Sequence, residues 1–266
     1  MKIGLALSGG GTKGLAHIGV IKVLEKNNIP IDYIVGTSAG AIIGGIYASG
    51  TSINEIEKKI TSMKTRDFLS FLIDFGREKG GIIKAEKLMK QIKSLVKERR
   101  IENFKIGFAA VAADIINFKE VVFDKGDVLL AIRASIAYPG LVSPVKINKK
   151  LLVDGGIVNN FPMDVLKNKG MDLIIGVRFG FEKKMKNITA RSVVQRSLSM
   201  MGFFISEYKN RDVKNCVVLE PNVRGISTFS VSAKLVRKAI KAGESEARKK
   251  LPLIKERIEA INEANL

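Results

Sequence analysis

The pentapeptide Gly36-Thr37-Ser38-Ala39-Gly40 sets a serine between two glycines, each two residues away. An apolar run, Ile31 to Val35, precedes it, and a helical pattern, Ala39 to Ser49, follows. A nucleophilic serine needs this setting. On a sharp strand-to-helix turn its backbone is strained and its hydroxyl exposed, and only small neighbours such as Gly36 and Gly40 avoid a clash. The helix N-terminus behind Ser38 favours developing negative charge. The competing reading is a plain glycine-lined helix start.

A serine nucleophile needs a base. The chain holds one histidine, His17, and it precedes Ser38. The order serine, acid, histidine of the α/β-hydrolases is therefore excluded. His17 lies about one turn beyond Lys13 on the first helix, where helix packing or support of the site is the expected role. That leaves a carboxylate or a lysine. Asp154, in LLVDGGIVNNFP, stands at a strand end before Gly155 and Gly156, which permit a turn with positive φ. Such a strand end is where an α/β sheet places an active-site carboxylate. Asp114 ends another apolar strand and is the alternative. For either residue the structural reading is an aspartate that forms or caps a turn.

A second glycine-rich stretch, Gly9-Gly10-Gly11-Thr12-Lys13-Gly14, follows the apolar run Lys2 to Ser8. It satisfies G-x-G-x-x-G. A dinucleotide fold would then place an acid at the end of the second strand. Asp32 sits at that strand's start, and its end reads Val35-Gly36-Thr37-Ser38. A phosphate-binding P-loop would need Gly-Lys-Ser/Thr, and no Gly-Lys pair occurs here. The remaining use of clustered backbone N–H groups beside a nucleophilic serine is an oxyanion hole. A non-hydrolytic nucleotide- or phosphate-binding module built on the same loop is the rival from another functional class.

The elements that must position these residues follow from hydrophobic periodicity. Lys2–Ser8 and Ile31–Val35 read as buried strands, and Lys13–Asn27 and Ala39–Ser49 as helices. Strand, helix, strand, helix indicates a parallel α/β sheet. Ile53 to Lys105 reads as helical and more charged, with Lys87, Lys90, Lys93 and Lys97 near one helix face. Within it, Phe68 to Gly81 clusters Phe and Leu and reads either as an apolar flap or as an ordinary loop packed on the core; the region 53–103 is a candidate lid. Further strands are expected at 104–114, 118–123, 151–153, 173–179 and 217–220. Helices are expected at 127–137, 192–210 and 231–249. No repeat or low-complexity linker interrupts the chain, so 1–266 is read as one domain.

The chain has 266 residues and is 46% hydrophobic, enough for one sizeable core. Its single cysteine, Cys216, rules out an intrachain disulfide and points to a reducing, cytoplasmic setting. The N-terminal run is too short for a signal peptide. The uncharged stretch Tyr33–Asn54 reads as strand, turn and helix rather than as a membrane span. No metal or cofactor is expected. The formal net charge is +19, which fits an anionic membrane surface or a solvated lysine-rich exterior. Nucleic acid is not expected, since no aromatic or glycine-rich RNA-binding signature is interleaved with the basic residues.

GGGTKG, GTSAG and DGG, in that order, closely resemble the patatin-like phospholipases. The flanking text GGGTKGLAHIGVIKVLE, and ASIAYPGLVSPV before LLVDGGIVNNFP, fits the same family. The resemblance runs from the N-terminus to about Asp164. It implies a three-layer α/β/α fold with a mostly parallel sheet and a lipid acyl hydrolase with a Ser–Asp dyad and no catalytic histidine. By motif position Ser38 would be the nucleophile and Asp154 the base. Gly9, Gly10 and Gly11 would supply the oxyanion N–H groups, and Gly14, Gly36, Gly40, Gly155 and Gly156 would support the motifs. Lys13 fills a position often held by arginine, without arginine's fork geometry. The implied partner is an acyl lipid, with peripheral membrane contact through the Lys87, Lys90, Lys93, Lys97 face and through Lys234, Arg237, Lys238 and Lys241.

Overall fold

A computed structural model describes residues 1–63, 75–78, 81–180, 188–228 and 231–264. Strands and helices alternate from the start: β1 (Ile3–Leu7), a 3-10 turn (Gly11–Leu15), α1 (Ala16–Lys26), β2 (Tyr33–Thr37), α2 (Ala39–Ala48) and α3 (Ile53–Ser62). A small hairpin follows, β3 (Phe75–Glu78) with β4 (Gly81–Ile83), and then α4 (Glu86–Leu95). Next come β5 (Gly107–Asp114), β6 (Lys119–Phe123), α5 (Val128–Ser135), β7 (Val145–Ile147), β8 (Lys150–Asp154) and α6 (Met163–Asn168). The chain closes with β9 (Leu173–Val177), α7 (Ala190–Asn210), β10 (Cys216–Leu219) and α8 (Ala233–Ala264).

The main sheet runs β10-β9-β1-β2-β5-β8-β7, with β6 also on β5. Its first five strands are mutually parallel. β6 and β8 run antiparallel to β5, and β7 antiparallel to β8. The parallel strands are buried on both faces, as their continuous apolar text requires. Alternation sorts their side chains: Ile3, Leu5 and Leu7 of β1 join the large cluster with α1, α2, α5 and α8, whereas Ala6 and Val35 join Met163, Val165 and Leu166 of α6. The result is a three-layer α/β/α sandwich, as the resemblance implied.

The registers on β5 decide where the chemistry sits. Residues 110–111 pair with both β2 and β6, so those two strands take opposite edges of β5. Residues 112–114 pair with both β6 and β8, so β8 takes the edge that β2 occupies. β2 therefore ends against Val111 and β8 ends against Ala112, the two running head to head along one edge. Ser38 follows the end of one and Asp154 is the end of the other.

Two expected elements change. The stretch 53–105 is not one helical region: the antiparallel pair β3–β4 divides it. The apolar flap expected at 68–81 lies largely outside the described residues. The last helix does not stop at Lys249 but runs to Ala264 through Pro252. Proline forfeits a helical hydrogen bond, but buried Ala247 and Ile254 continue the apolar stripe, with Leu251, Ile258 and Ile261 packed beside it. Burying that stripe outweighs one lost bond. Lys87, Lys90, Lys93, Lys97, Lys234, Arg237, Lys238 and Lys241 are all exposed. Among the described residues, no helix is long and apolar enough to cross a membrane.

Candidate active site

Ser38 sits between β2 and α2 with φ 53° and ψ −117°, a left-handed conformation that side chains rarely adopt. Such backbone costs about 1–3 kcal/mol and persists only where its surroundings impose it. They do so here through small-residue contact. A Cβ on Gly36 would strike the Gly40 backbone, and one on Gly40 would strike the Leu7 carbonyl of β1. The Ser38 N–H donates to Ser135 Oγ at 2.9 Å, and that hydroxyl donates to the Val111 carbonyl at 2.6 Å. Ser135, at the end of α5, is fully buried. It bridges the Ser38 turn to the point on β5 where β2 and β8 meet.

Asp154 is 2% exposed, and its carboxylate lies close enough to the Ser38 side chain to be stabilised by it. Its Oδ1 also accepts from the Gly156 N–H at 2.8 Å. Burial raises its pKa from 3.8 to about 6, and the Ser38 side chain and the Gly156 N–H hold it back from rising further. Gly155 lies against the Val111 carbonyl, where a Cβ would collide. The following NNFP is pinned tightly. Thr37 Oγ1 donates to the Asn159 carbonyl at 2.8 Å, and Asn159 Nδ2 donates to Asp164 Oδ1 at 2.7 Å.

The first glycine loop closes the site. A Cβ on Gly9 would collide with the Asn160 side-chain oxygen and come within 3.2 Å of Ser38 Cβ. The same Asn160 oxygen would lie 3.1 Å from a Cβ on Gly156. Asn160 thus stands where all three motifs converge. The Gly9 N–H is engaged by the Asn160 carbonyl at 3.2 Å, whereas among the described residues the N–H groups of Gly10 and Gly11 meet no acceptor. Gly11 has φ 55° and lies on the Thr228 carbonyl, a place closed to any side chain. Gly14 packs against Ala39 at the start of α2. Lys13 lies in the middle of the 3-10 turn, its N–H bonded to the Gly10 carbonyl at 3.2 Å.

His17 is fully buried beneath this loop. Its Nε2 donates to the Ser8 carbonyl at 2.9 Å, which can only accept, and its ring packs 5.0 Å from Phe179. Burial lowers its pKa to about 4. It is a neutral packing residue. Asp114 is a turn former: its carboxylate accepts from the Ile116 N–H at 3.1 Å, Asn117 Nδ2 at 2.7 Å and the Leu151 N–H at 3.3 Å. The structure brings Ser38, Asp154 and the glycine loop together and leaves Asp114 in the β5–β6 turn. Among the described residues no group of three His, Cys, Asp or Glu could hold a metal ion.

Ser135 and Asn160 were not singled out in the sequence. Both lie in text that flanks the motifs, ASIAYPG and VNNFP, but neither carries a spacing that announces a bond to Ser38 or Gly9. Ser135→Ala strips the Ser38 N–H and the Val111 carbonyl of a buried partner. Urea denaturation should show a loss of about 1–3 kcal/mol; an unchanged midpoint would mean that this hydroxyl does not hold the turn.

The serine and the glycine loop at the carboxyl ends of parallel strands, with the carboxylate that ends antiparallel β8 set against them, define a three-layer α/β protein with a polar site at the strand ends. The model of the patatin-like phospholipases matches residues 5–167, and the chain belongs to that family. It is 39% identical over 176 residues to an uncharacterized NTE family protein of Mycobacterium tuberculosis, covering 66% of this chain and 48% of that one. It is 32% identical over 206 residues to the lysophospholipase NTE1 of Candida albicans, covering 76% of this chain but 14% of that one. The chain thus spans about half or less of the length of these relatives. In three dimensions it resembles VipD from Legionella pneumophila, with TM-score 0.57 and 16% identity over 94% of this chain and 66% of that one.

Proposed function

We propose that the protein is a serine lipid acyl hydrolase that cleaves carboxylic esters of phospholipids or lysophospholipids. The observation that carries this reading is the head-to-head approach of β2 and β8 along β5, which sets Ser38 against the buried Asp154 carboxylate, beside the glycine loop 9–11. Asp154 takes the Ser38 proton as Oγ attacks the ester carbonyl. Gly10 and Gly11 donate to the developing oxyanion, and Gly9, tied to Asn160, keeps that loop against Ser38. Collapse of the tetrahedral intermediate expels the alcohol, which takes the proton from Asp154. Water, deprotonated by the same carboxylate, then releases the fatty acid and restores Ser38. A carboxylate with pKa near 6 is a better base than a free aspartate and is still ionised at neutral pH. The Candida albicans relative is a lysophospholipase, which supports a single-chain acyl ester as substrate.

A net charge of +19 suits peripheral contact with anionic lipid, in the reducing cytoplasmic setting that the lone Cys216 suggests. Labelling by a fluorophosphonate probe, with fatty-acid release from a panel of lysophospholipids and diacyl phospholipids, tests the reading. Labelling should vanish in Ser38→Ala and survive in Asp114→Asn. Equal labelling of Ser38→Ala, or a panel with no released fatty acid, sinks it.

A further inference from the structure

Beyond the site, half of the large exposed apolar side chains of the described residues, six of twelve, lie on one element. Of the eight exposed positions from Val193 to Tyr208 in α7, six are Val193, Val194, Met200, Met201, Phe204 and Tyr208. Five of these recur at helical spacing, 193, 200, 201, 204 and 208, and so form one outward stripe. The opposite face is locked down. Gly202 packs on the Gly156 carbonyl, Ser206 Oγ accepts from the Asn160 N–H at 3.0 Å, and Asn210 Nδ2 donates to the Phe161 carbonyl at 2.7 Å. The usual surface helix turns its apolar face inward; this one fixes small and polar residues against the site and turns valine, methionine and phenylalanine to water. A contiguous stripe of that kind marks an interaction surface.

We propose that the outward face of α7 is the surface by which the protein lies on an anionic phospholipid bilayer. Three features choose a bilayer as the occupant. The helix is continuous with the candidate site: its buried face touches the Asp154 turn at Gly156, and Ser199 shares a hydrogen bond with Tyr138, whose hydroxyl feels the Asp154 charge. The protein carries net charge +19, and Arg211 stacks 4.3 Å from the Tyr208 ring at the helix end, a pairing of aromatic and cation suited to headgroup depth. Lys209 of α7 is also tied to Glu120 of β6. This holds the β5–β6 turn, with Ile116 and the 93% exposed Phe118, beside the C-terminal end of the same helix. The lipid identity of the substrate rests on the hydrolase reading; the docking face does not need turnover to be measured.

Co-sedimentation with vesicles of equimolar phosphatidylcholine and phosphatidylglycerol is the test, using the full chain, its M200Q/F204Q variant and an independent V193Q/M201Q variant. Neutral glutamine avoids adding charge repulsion, and two separate pairs guard against a local folding fault, checked by far-UV circular dichroism. Each pair should lower the vesicle partition coefficient by on the order of tenfold. The ratio of vesicle-lipid hydrolysis to hydrolysis of a monomeric short-chain ester should fall with it. Folded variants that sediment as the parent does overturn the proposal. So does a parent dimer that both pairs convert to monomer while vesicle binding persists, since a second copy would then cover the face. Vesicle binding lost in the variants, by a parent that cleaves no ester at all, would sink the hydrolase reading and leave the docking face standing.

Discussion

Ser38→Gly should melt higher than the parent and be inactive, whereas Ser38→Ala should be inactive without that gain. Both remove the nucleophile, and loss of a reacting serine costs on the order of 10^4–10^6 in kcat. They differ in backbone. Ser38 holds φ 53° and ψ −117°, a conformation that alanine also resists and glycine accepts. The strain released is about 1 kcal/mol after glycine's greater freedom in the unfolded chain is set against it. For a chain of this size that is a rise of about 2–4 °C in Tm. Differential scanning calorimetry beside an ester assay reads both. A Ser38→Gly protein that melts no higher than Ser38→Ala would mean that the turn is not strained, and the argument for a held nucleophile would lose its main support.

Asp154→Asn should likewise trade activity for stability. Asparagine can keep its oxygen on the Gly156 N–H but cannot take a proton from Ser38, and kcat should fall by on the order of 10^3–10^4. In the parent, activity should rise through an apparent pKa of about 6 and level off as Asp154 ionises; the variant's residual activity should lack that limb. The sign of the stability effect follows from linkage. The folded pKa is raised from 3.8 to about 6, so between those values the folded state binds more protons than the unfolded state, and stability falls as pH rises. The contribution of the protonated form is full below about 3.8 and is lost through about 6. Above that, burial of the charged carboxylate costs about 3 kcal/mol. Asp154→Asn removes that cost, so its gain in unfolding free energy should appear at pH 8 and shrink toward pH 4. A variant less stable than the parent at both values would show that the carboxylate is not a desolvated charge.

These two residues were legible because their chemistry needs local sequence: small neighbours around Ser38, a strand end and paired glycines at Asp154. The parallel core was legible for the same reason, since strands buried on both faces write continuous apolar text. What the sequence hid is long-range. The choice between Asp154 and Asp114 rested on family resemblance, because both end apolar strands. In the structure, what separates them is that β8 shares an edge with β2, while Asp114 turns its carboxylate to the N–H groups of its own loop. Ser135 and Asn160 act through hydroxyl and backbone contacts across the fold, which leave no periodicity. The length of α8 was underestimated because Pro252 reads as a stop, and only packing along the whole helix overrides it.

The head-to-head approach of β2 and β8 makes β5 a ruler for the site. Ser38 and Asp154 are not set against each other by a bond between their own strands. Each is counted off along a shared third strand, ending at Val111 and Ala112. Their spacing is therefore quantised, in steps of about 3.3 Å per residue, and a slip of one residue would turn Asp154 to the opposite face of the sheet. Sequence drift can reshape the surroundings of this pair gradually, but it cannot nudge the two residues apart by degrees. The distance is either right by whole residues or lost.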